Sequence, residues 1–246
     1  MRLFTLFLSI ALVFTMHAAP RRRVVRVPAR EVARVVTIAD DFRLGDRGWL
    51  PGFADYSPLS SGMDLEASIA PLPPELHVDG TGYRVSGNNH SDDLFMFLSK
   101  RLTAADGIKP NTRYSVSFRI VFASNAGSGC GGIGGSPGEG VMLKAGAAGE
   151  PPQVVLAGDH YRLQLDKGNQ INGGADLSAV SHIGNGTANC SGNAPYVTLE
   201  RSHTHPFAVT SNEFGELWLL AGTDSGFEGI TTLYYQSIVT TLTPLP

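Results

Sequence analysis

Alternation of apolar and polar residues is the main periodic pattern in this chain. Within residues 112–122, five side chains share one apolar face: Tyr114, Val116, Phe118, Ile120 and Phe122. A period of two is typical of a strand with one buried face. Similar runs predict further strands at 82–86, 160–165, 195–200, 215–221 and 231–242. Residues 94–98 are continuously apolar, which predicts a strand buried on both faces.

Helical periodicity is almost absent from the sequence. We expect only short helical turns near 102–106 and 175–180. Long irregular segments rich in Gly, Pro or Asn separate the strands, at 50–80, 124–140 and 166–194. Loops of this length in a compact domain are usually functional or poorly ordered, so we expect the functional site there. With no internal repeat or Pro/Ser linker, residues 36–246 are predicted to form one antiparallel β-sandwich of jelly-roll type.

Composition agrees with a β-rich globular domain. Hydrophobic residues make up 42% of the chain and charged residues 17%, with 29 Gly and 15 Pro. This content excludes disorder throughout and collagen, and it argues against coiled coils and long helices.

The N-terminus has the features of a secretory signal peptide. Arg2 precedes an apolar run over residues 3–16, and the small residues Ala18 and Ala19 follow. The run is shorter than the ~20 residues of a membrane-spanning helix, and no second such run occurs downstream. We therefore expect a signal peptide at 1–19, cleaved after Ala18 or Ala19, and a secreted or periplasmic protein without a transmembrane segment. An uncleaved anchor is the alternative.

Charge is distributed unevenly along the chain. Residues 20–35 carry six Arg and one acid, whereas residues 36–246 carry 12 Lys/Arg and 21 Asp/Glu, a net −9. We interpret 20–35 as a flexible Arg-rich arm. The acidic body would repel phosphate, so no nucleic-acid partner is expected. We expect the domain to be a monomer.

The two cysteines, Cys130 and Cys190, lie in Gly/Asn/Ser-rich segments. An even count in an exported chain predicts one disulfide between them. Two nearby motifs are not expected to be catalytic. Gly134–Gly138 matches the serine-hydrolase G-x-S-x-G pattern, but Pro137 lacks the N–H that would help bind the oxyanion. Gly127–Gly132 matches G-x-G-x-x-G without the strand-turn-helix context of a nucleotide site.

His203 and His205 are candidate metal ligands. Residues two apart on a strand share a face, so a third ligand from another loop would complete a Zn²⁺ site. The candidates for that ligand are His90, Asp92, Asp93, His160 and His182. The alternative is that both imidazoles hydrogen-bond neighbouring strands or loops.

Two polar segments are candidate ligand sites. Residues 88–93 concentrate amide, imidazole and carboxylate groups suited to sugar hydroxyls or Ca²⁺, namely Asn88, Asn89, His90, Asp92 and Asp93. Asp224 and Glu228 are candidate Ca²⁺ ligands. Ordinary turn chemistry is the alternative for both segments. No cofactor is required, and a bound Ca or Zn ion stays an alternative.

Aromatic residues can stack on sugar rings. Trp49, beside a Gly/Pro turn, is predicted to be exposed and to contact a ligand, whereas Trp218, between two Leu in a strand, is predicted to be core.

Two stretches resemble jelly-roll carbohydrate-binding modules and their galactose-binding-like relatives. They are Asp40-Asp41-Phe42 with Gly48-Trp49, and Leu102 with Lys109–Phe118. The resemblance implies a jelly-roll fold and a carbohydrate ligand. Residues 233–238 lack the aspartate pair that many such modules carry there, so neither their calcium site nor their sugar site transfers by position. The chain as a whole also resembles a group of uncharacterised exported bacterial proteins, on residues 86–93, 203–207 and 222–229 and the loop at Cys130, which implies a compartment and no function.

Three function classes follow. The first is an exported, non-catalytic binding module for a carbohydrate or envelope glycan. The second is a structural or protein-interaction domain of the cell envelope. The third is a metal-dependent hydrolase that uses His203, His205 and a carboxylate from 92–93.

Overall fold

The computed structural model describes residues 34–90, 93–192 and 194–246. These residues belong to one compact unit, Ala33–Pro246. The predicted signal peptide and all but the last two residues of the predicted arm lie outside them. Within the described residues, no helix is both long and apolar enough to cross a membrane.

The described chain is almost entirely β-structure. Its strands are β1 (Val36–Asp41), β2 (Leu50–Ala54), β3 (Glu66–Pro71), β4 (Thr81–Asn88), β5 (Leu94–Leu102), β6 (Arg113–Ser124), β7 (Val141–Ala148), β8 (Val154–Ala157), β9 (His160–Leu163), β10 (Leu177–His182), β11 (Val197–Thr204), β12 (Val209–Thr210), β13 (Leu217–Ser225) and β14 (Ile230–Pro244). Three single turns of 3₁₀-helix occur at Phe42–Leu44, Pro74–Leu76 and Ala104–Asp106.

Two antiparallel sheets pack face to face. One has the order β11-β6-β14-β4-β3, with β1 added beside β14 and β12 beside β6; the other has the order β10-β7-β13-β5-β2. Without β1, β2, β3 and β12, the two sheets have the orders β4-β14-β6-β11 and β5-β13-β7-β10. Successive core strands cross between the sheets, except β7 and β10, which pair within one sheet. The last two core strands pair beside the first two, which is the jelly-roll order. The predicted fold class is therefore confirmed.

The core lies between the sheets and follows the period-two pattern. The inward face of β6 contributes Tyr114, Val116, Phe118, Ile120 and Phe122, all buried as predicted. Residues 94–98 lie in β5 and are buried on both faces. Strand β14 pairs with β6 along one side. Along its other side it pairs first with β4 and then with β1, and its register against β6 shifts between Tyr235 and Ser237, where this change of partner occurs.

Several expectations about local structure were wrong. Residues 50–80, expected to be irregular, contain strands β2 and β3, and strands β1 and β8 were not predicted. A helical turn was expected near 175–180, but residues 177–182 form strand β10, because pairing with β7 supplies the backbone hydrogen bonds. Strand β7 was missed. Its sequence, Val-Met-Leu-Lys-Ala-Gly-Ala-Ala, has small residues and one Lys in place of clear alternation.

Cys130 and Cys190 form the predicted disulfide, with their Cα atoms 5.4 Å apart. The bond connects the loop after β6 to the loop before β11, 60 residues later. It therefore fixes two of the long irregular segments to each other.

Replacement of both cysteines by alanine should lower the free energy of unfolding by about 4 kcal/mol, because the unfolded chain regains the entropy that the closed loop removes. Urea unfolding of the variant and of the oxidised wild type measures the difference. The reduced wild type is the matched control and should unfold like the variant. Equal stability of the oxidised and reduced proteins would contradict the prediction.

Candidate functional site

The outer face of the β10-β7-β13-β5-β2 sheet carries the candidate site. Along β13, Leu217, Leu219 and Ala221 point into the sandwich, so Trp218 and Leu220 point to the outer face. Apolar residues on this face form a second, smaller core: Ala54, Phe95, Phe97, Leu177 and Leu220, against which Val154, Leu163, Leu165 and Trp218 pack. The β8–β9 hairpin and the residues after it therefore cover part of the sheet.

A groove of about 480 Å³ lies between the hairpin and strands β2 and β5. Its lining is Leu50, Pro51, Gly52, Phe53, Tyr56, Phe97, Ser99, Pro152, Val154 and Tyr161. No carboxylate, ammonium, guanidinium or imidazole is among these side chains. The groove is therefore an aromatic and apolar surface with hydroxyl groups on it.

Tyr56 and Tyr161 form an aromatic pair in this groove. Their ring centroids are 5.2 Å apart, with the planes inclined at 45°. Two backbone hydrogen bonds hold the pair: Tyr161 N–H donates to the Tyr56 carbonyl at 2.9 Å, and Asp55 N–H donates to the Tyr161 carbonyl at 2.6 Å. Both rings are half-buried. Burial, and then Tyr161, raise the pKa of Tyr56, so its phenol stays protonated and can donate a hydrogen bond.

Gly52 makes room for the floor of the groove. A Cβ atom at this position would lie 2.2 Å from Cζ of Phe97. Because Gly52 has no side chain, the Phe97 ring can lie against β2.

A cluster of three acids and three bases lies behind the aromatic pair. Lys144, which is fully buried, donates from Nζ to Asp224 Oδ2 at 2.7 Å and to the carbonyls of Lys167 and Asn172 at 2.7 and 2.9 Å. Burial lowers the pKa of Lys144, against the attraction of Asp224. Since all three ammonium donors have acceptors, the buried charge is satisfied.

Lys167 extends the cluster to the hairpin. Its Nζ lies 2.8 Å from Asp224 Oδ2 and 2.7 Å from Asp55 Oδ2. Burial lowers the pKa of Lys167, but Asp224 and Asp55 together outweigh that effect and raise it. Lys167 therefore stays charged between two buried carboxylates.

Arg162 and Asp93 form the more exposed end. Arg162 Nη1 donates to Asp55 Oδ1 at 2.8 Å and to Asp93 Oδ2 at 3.3 Å. Burial, the largest influence, raises the pKa of Asp93 to about 6. Asp93 therefore protonates more readily than an ordinary aspartate.

The three carboxylates are close enough to hold a metal ion, but their surroundings do not fit one. Ligand atoms of Asp55, Asp93 and Asp224 lie within 4.8 Å of one another. The ammonium of Lys167 already lies within 2.8 Å of two of them, and Arg162 contacts the third. A divalent cation would be repelled by these charges. Asp224, predicted as a metal ligand, contacts the ammonium groups of Lys144 and Lys167.

The residues predicted to bind ligand at 88–93 make contacts within the fold. Asn88 Nδ2 donates to the Gly62 carbonyl, and His90 Nε2 lies 3.0 Å from the same oxygen. Asn89 is buried and donates to the carbonyls of Ser225 and Phe227, both at 3.0 Å. These bonds connect loops at one end of the sandwich. Asp93 lies in the charged cluster, and Asp92 lies outside the described residues.

The two tryptophans differ in burial from the prediction. Trp49 is 1% exposed and its Nε1 donates to Asp40 at 2.9 Å, so the prediction of an exposed Trp49 is wrong. Trp218 is half-buried on the outer face, with Arg101 6.0 Å above its ring. The alternation of side chains along β13 was sufficient to place Trp218 outside the main core, because Leu217 and Leu219 cannot share a face with Trp218.

His203 and His205 lie on one face as expected, and Ser178 lies between them. His205 Nε2 donates to the Ala175 carbonyl at 2.9 Å, so its Nδ1 accepts the Ser178 hydroxyl proton at 2.8 Å. His203 Nε2 then donates to Ser178 Oγ at 2.6 Å. Within the described residues neither imidazole joins a metal-ligand group of three, and Glu228 does not join the aspartate group. These contacts agree with the alternative that both imidazoles hydrogen-bond neighbouring strands or loops.

No protein-family model matches the chain, and no curated protein matches its sequence. Similar solved structures include TmCBM27, a mannan-recognising carbohydrate-binding module, with 12% identity over 86% of this chain and 99% of that one and a TM-score of 0.37. The CBM22-1-CBM22-2 tandem of Xyn10C from Paenibacillus barcinonensis has 10% identity over 89% and 49%, TM-score 0.38. The Stig cyclase Fisc from Fischerella sp. TAU has 13% identity over 85% and 90%, TM-score 0.36. Identities and scores this small carry no argument about ligand or activity.

The Asp224→Asn variant should lose about 3 kcal/mol of stability or more, since it leaves the buried ammonium of Lys144 without its counter-charge. Urea unfolding measures the loss. Glu200→Gln, which breaks the exposed Arg119–Glu200 pair, is the control and should change stability little. A loss no larger than that of the control would show that the cluster is not a structural anchor.

Stability should fall on acidification because burial lowers the pKa values of His203 and His205. Unfolded His titrates near about 6.5, so this contribution is complete above that pH and is lost as the pH drops below it. The urea midpoint of the wild type should be lower at about pH 5.5 than at about pH 7.5, and the His203→Gln/His205→Gln variant should show a smaller decrease.

Asp93 acts in the opposite direction in the same experiment. Its pKa, raised to about 6, means that protonation favours the folded state as the pH falls. The Asp93→Asn control should therefore show a steeper acid decrease than the wild type. An unchanged slope in the double His variant would refute the assignment to the imidazoles.

Proposed function

We propose that this chain is a non-catalytic binding module for an uncharged glycan, which it holds in the groove of Tyr56 and Tyr161. The observation that supports this most is the composition of the groove: paired half-buried tyrosines, a phenylalanine floor, and hydroxyl groups without any charged side chain. Aromatic faces bind the C–H surface of sugar rings, and a few fixed polar groups orient the hydroxyls.

The lack of charge in the lining favours a neutral ligand. An acidic sugar would lose hydration in the groove without gaining a cationic partner there, which costs free energy. The cations behind the tyrosines, Lys144, Lys167 and Arg162, are already paired with Asp224, Asp55 and Asp93. Lys144 and Lys167 are buried and therefore not available to compensate a ligand carboxylate, and Arg162 does not line the groove.

The assignment as non-catalytic rests on the position of Ser178, the hydroxyl that hydrogen-bonds to two imidazoles and would be the nucleophile of a hydrolase. Ser178 hydrogen-bonds to His205, but it is 6% exposed and does not line the groove. Hydrolysis would also need a carboxylate pair that reaches the bound sugar. Asp55 and Asp224 are buried at 3% and 0% exposure and are held by lysines.

We further propose that the module acts outside the cytoplasm, in the periplasm or as a secreted protein. The signal-peptide pattern at 1–19 and the Cys130–Cys190 disulfide support this location, since disulfides persist in oxidising compartments.

Tyr56→Ala and Tyr161→Ala should each weaken binding of a neutral polysaccharide at least about tenfold, equivalent to ~1.4 kcal/mol, because each removes a stacking ring. Affinity electrophoresis and calorimetry against mannan, xylan and galactan measure this, with polygalacturonate as the acidic comparison. The matched control is Phe214→Ala, which removes a 70% exposed aromatic ring outside the groove.

Binding by the wild type and the Phe214 variant, with loss in both tyrosine variants, supports the proposal. Failure of the wild type to bind any neutral polysaccharide, or binding that is unaffected by either tyrosine change, would overturn it. Urea unfolding of each variant confirms that the fold is retained.

A further inference from the structure

A second cavity, of about 200 Å³, lies away from the groove, beside the disulfide-linked loops. Its wall includes Cys190 and the first residues of β14, and Ile183 and Phe227 supply apolar surface. Within the described part of the chain, no side chain that lines the cavity is ionisable.

The wall of this cavity is held by covalent and backbone bonds. The Cys130–Cys190 disulfide joins its two loops. Ser128 N–H donates to the Thr187 carbonyl at 2.7 Å, and Asn185 N–H donates to the Ala126 carbonyl at 2.9 Å. Gly127 permits the closest approach, since a Cβ there would lie 2.1 Å from the Asn189 carbonyl oxygen. The cavity is therefore formed before any ligand arrives.

Several polar groups in the lining have hydrogen-bonding capacity that the fold does not use. Thr231 is 5% exposed, yet neither its hydroxyl nor the Asn125 amide bonds to another described side chain or backbone group. Asn189 accepts the Ser191 N–H and hydroxyl through Oδ1, which leaves its Nδ2 donor unused. Unpaired polar groups beside apolar surface favour a ligand that carries both.

We propose that this rim cavity is a binding site for a small uncharged polyhydroxyl ligand, the size of one sugar ring, and that the disulfide holds it in its binding shape. The cavity is smaller than the sites of drug-sized ligands, which fits a single ring. Asn125, Asn189 and Thr231 bind the hydroxyls, and Ile183 and Phe227 contact the ring. The absence of charge in the lining disfavours a uronic acid. This site is independent of the groove and does not rest on the function proposed there.

The disulfide lowers the cost of binding because it orders both loops in advance. Without it, the loops that carry Asn125 and Asn189 would have to be fixed by the ligand itself, and part of the binding free energy would be spent on that ordering. Affinity at the rim cavity therefore depends on the oxidation state of Cys130 and Cys190, whereas affinity in the groove does not.

The test is an NMR titration of the oxidised protein with glucose, galactose, mannose and xylose, and with glucuronate as the charged comparison. Amide shifts should concentrate at Asn125, Asn189 and Thr231 with at least one neutral sugar and be absent with glucuronate. Gly131→Trp should abolish them, because Gly131 lines the cavity and a Cβ there meets no atom within 4 Å, so a large side chain can be added at the cavity without a clash at its Cβ. Tyr161→Ala, which alters only the groove, should leave them unchanged.

Reduction of the disulfide should lower the affinity at least tenfold in protein that circular dichroism shows to be folded. If reduction unfolds the chain, the Gly131→Trp variant, with a circular dichroism spectrum like that of the wild type, decides whether the cavity is the binding site. Absence of cavity shifts with all four neutral sugars, or shifts that persist in Gly131→Trp, would overturn the site. Equal affinity of the folded reduced and oxidised proteins would overturn the role of the disulfide.

Discussion

The buried ammonium of Lys144 is the constraint on which the outer face of the five-stranded sheet depends. A fully buried charge is tolerated only where it is paired and its donors are satisfied. Lys144 meets both conditions through Asp224 on the neighbouring strand and through carbonyls at Lys167 and Asn172. The segment after the β8–β9 hairpin must therefore lie across the sheet, because it supplies those carbonyls.

The candidate groove follows from that arrangement. Lys167, which pairs with Asp224, also forms an ion pair with Asp55, and Asp55 accepts a hydrogen bond from Arg162. Asp55 and Arg162 are the chain neighbours of Tyr56 and Tyr161, so the ionic contacts fix the backbone on which both aromatic rings stand. The charges act from behind the groove and leave its surface neutral, which is why a structural cluster and an uncharged ligand site can share one face.

Local pattern predicted much of the fold. The alternation in β6 and the apolar run in β5 identified central strands, and an even cysteine count behind a predicted signal peptide identified the disulfide. Face assignment was less successful where it depended on the position of a strand in a sheet. Trp49 is core because its indole finds Asp40, nine residues away, and no pattern around a Gly/Pro turn reveals that bond. The charged cluster draws on segments from Asp55 to Asp224, and its only local signal was Lys144 in an otherwise apolar strand.

The central claim is that a neutral glycan lies against Tyr56 and Tyr161 on the face that the Lys144 cluster holds in place. A crystal structure of the chain with a bound neutral oligosaccharide tests it most directly. Sugar rings should stack on these two tyrosines, with the Lys167–Asp55 and Arg162–Asp55 contacts intact. An oligosaccharide bound to another face of the sandwich, with this groove empty, would contradict it.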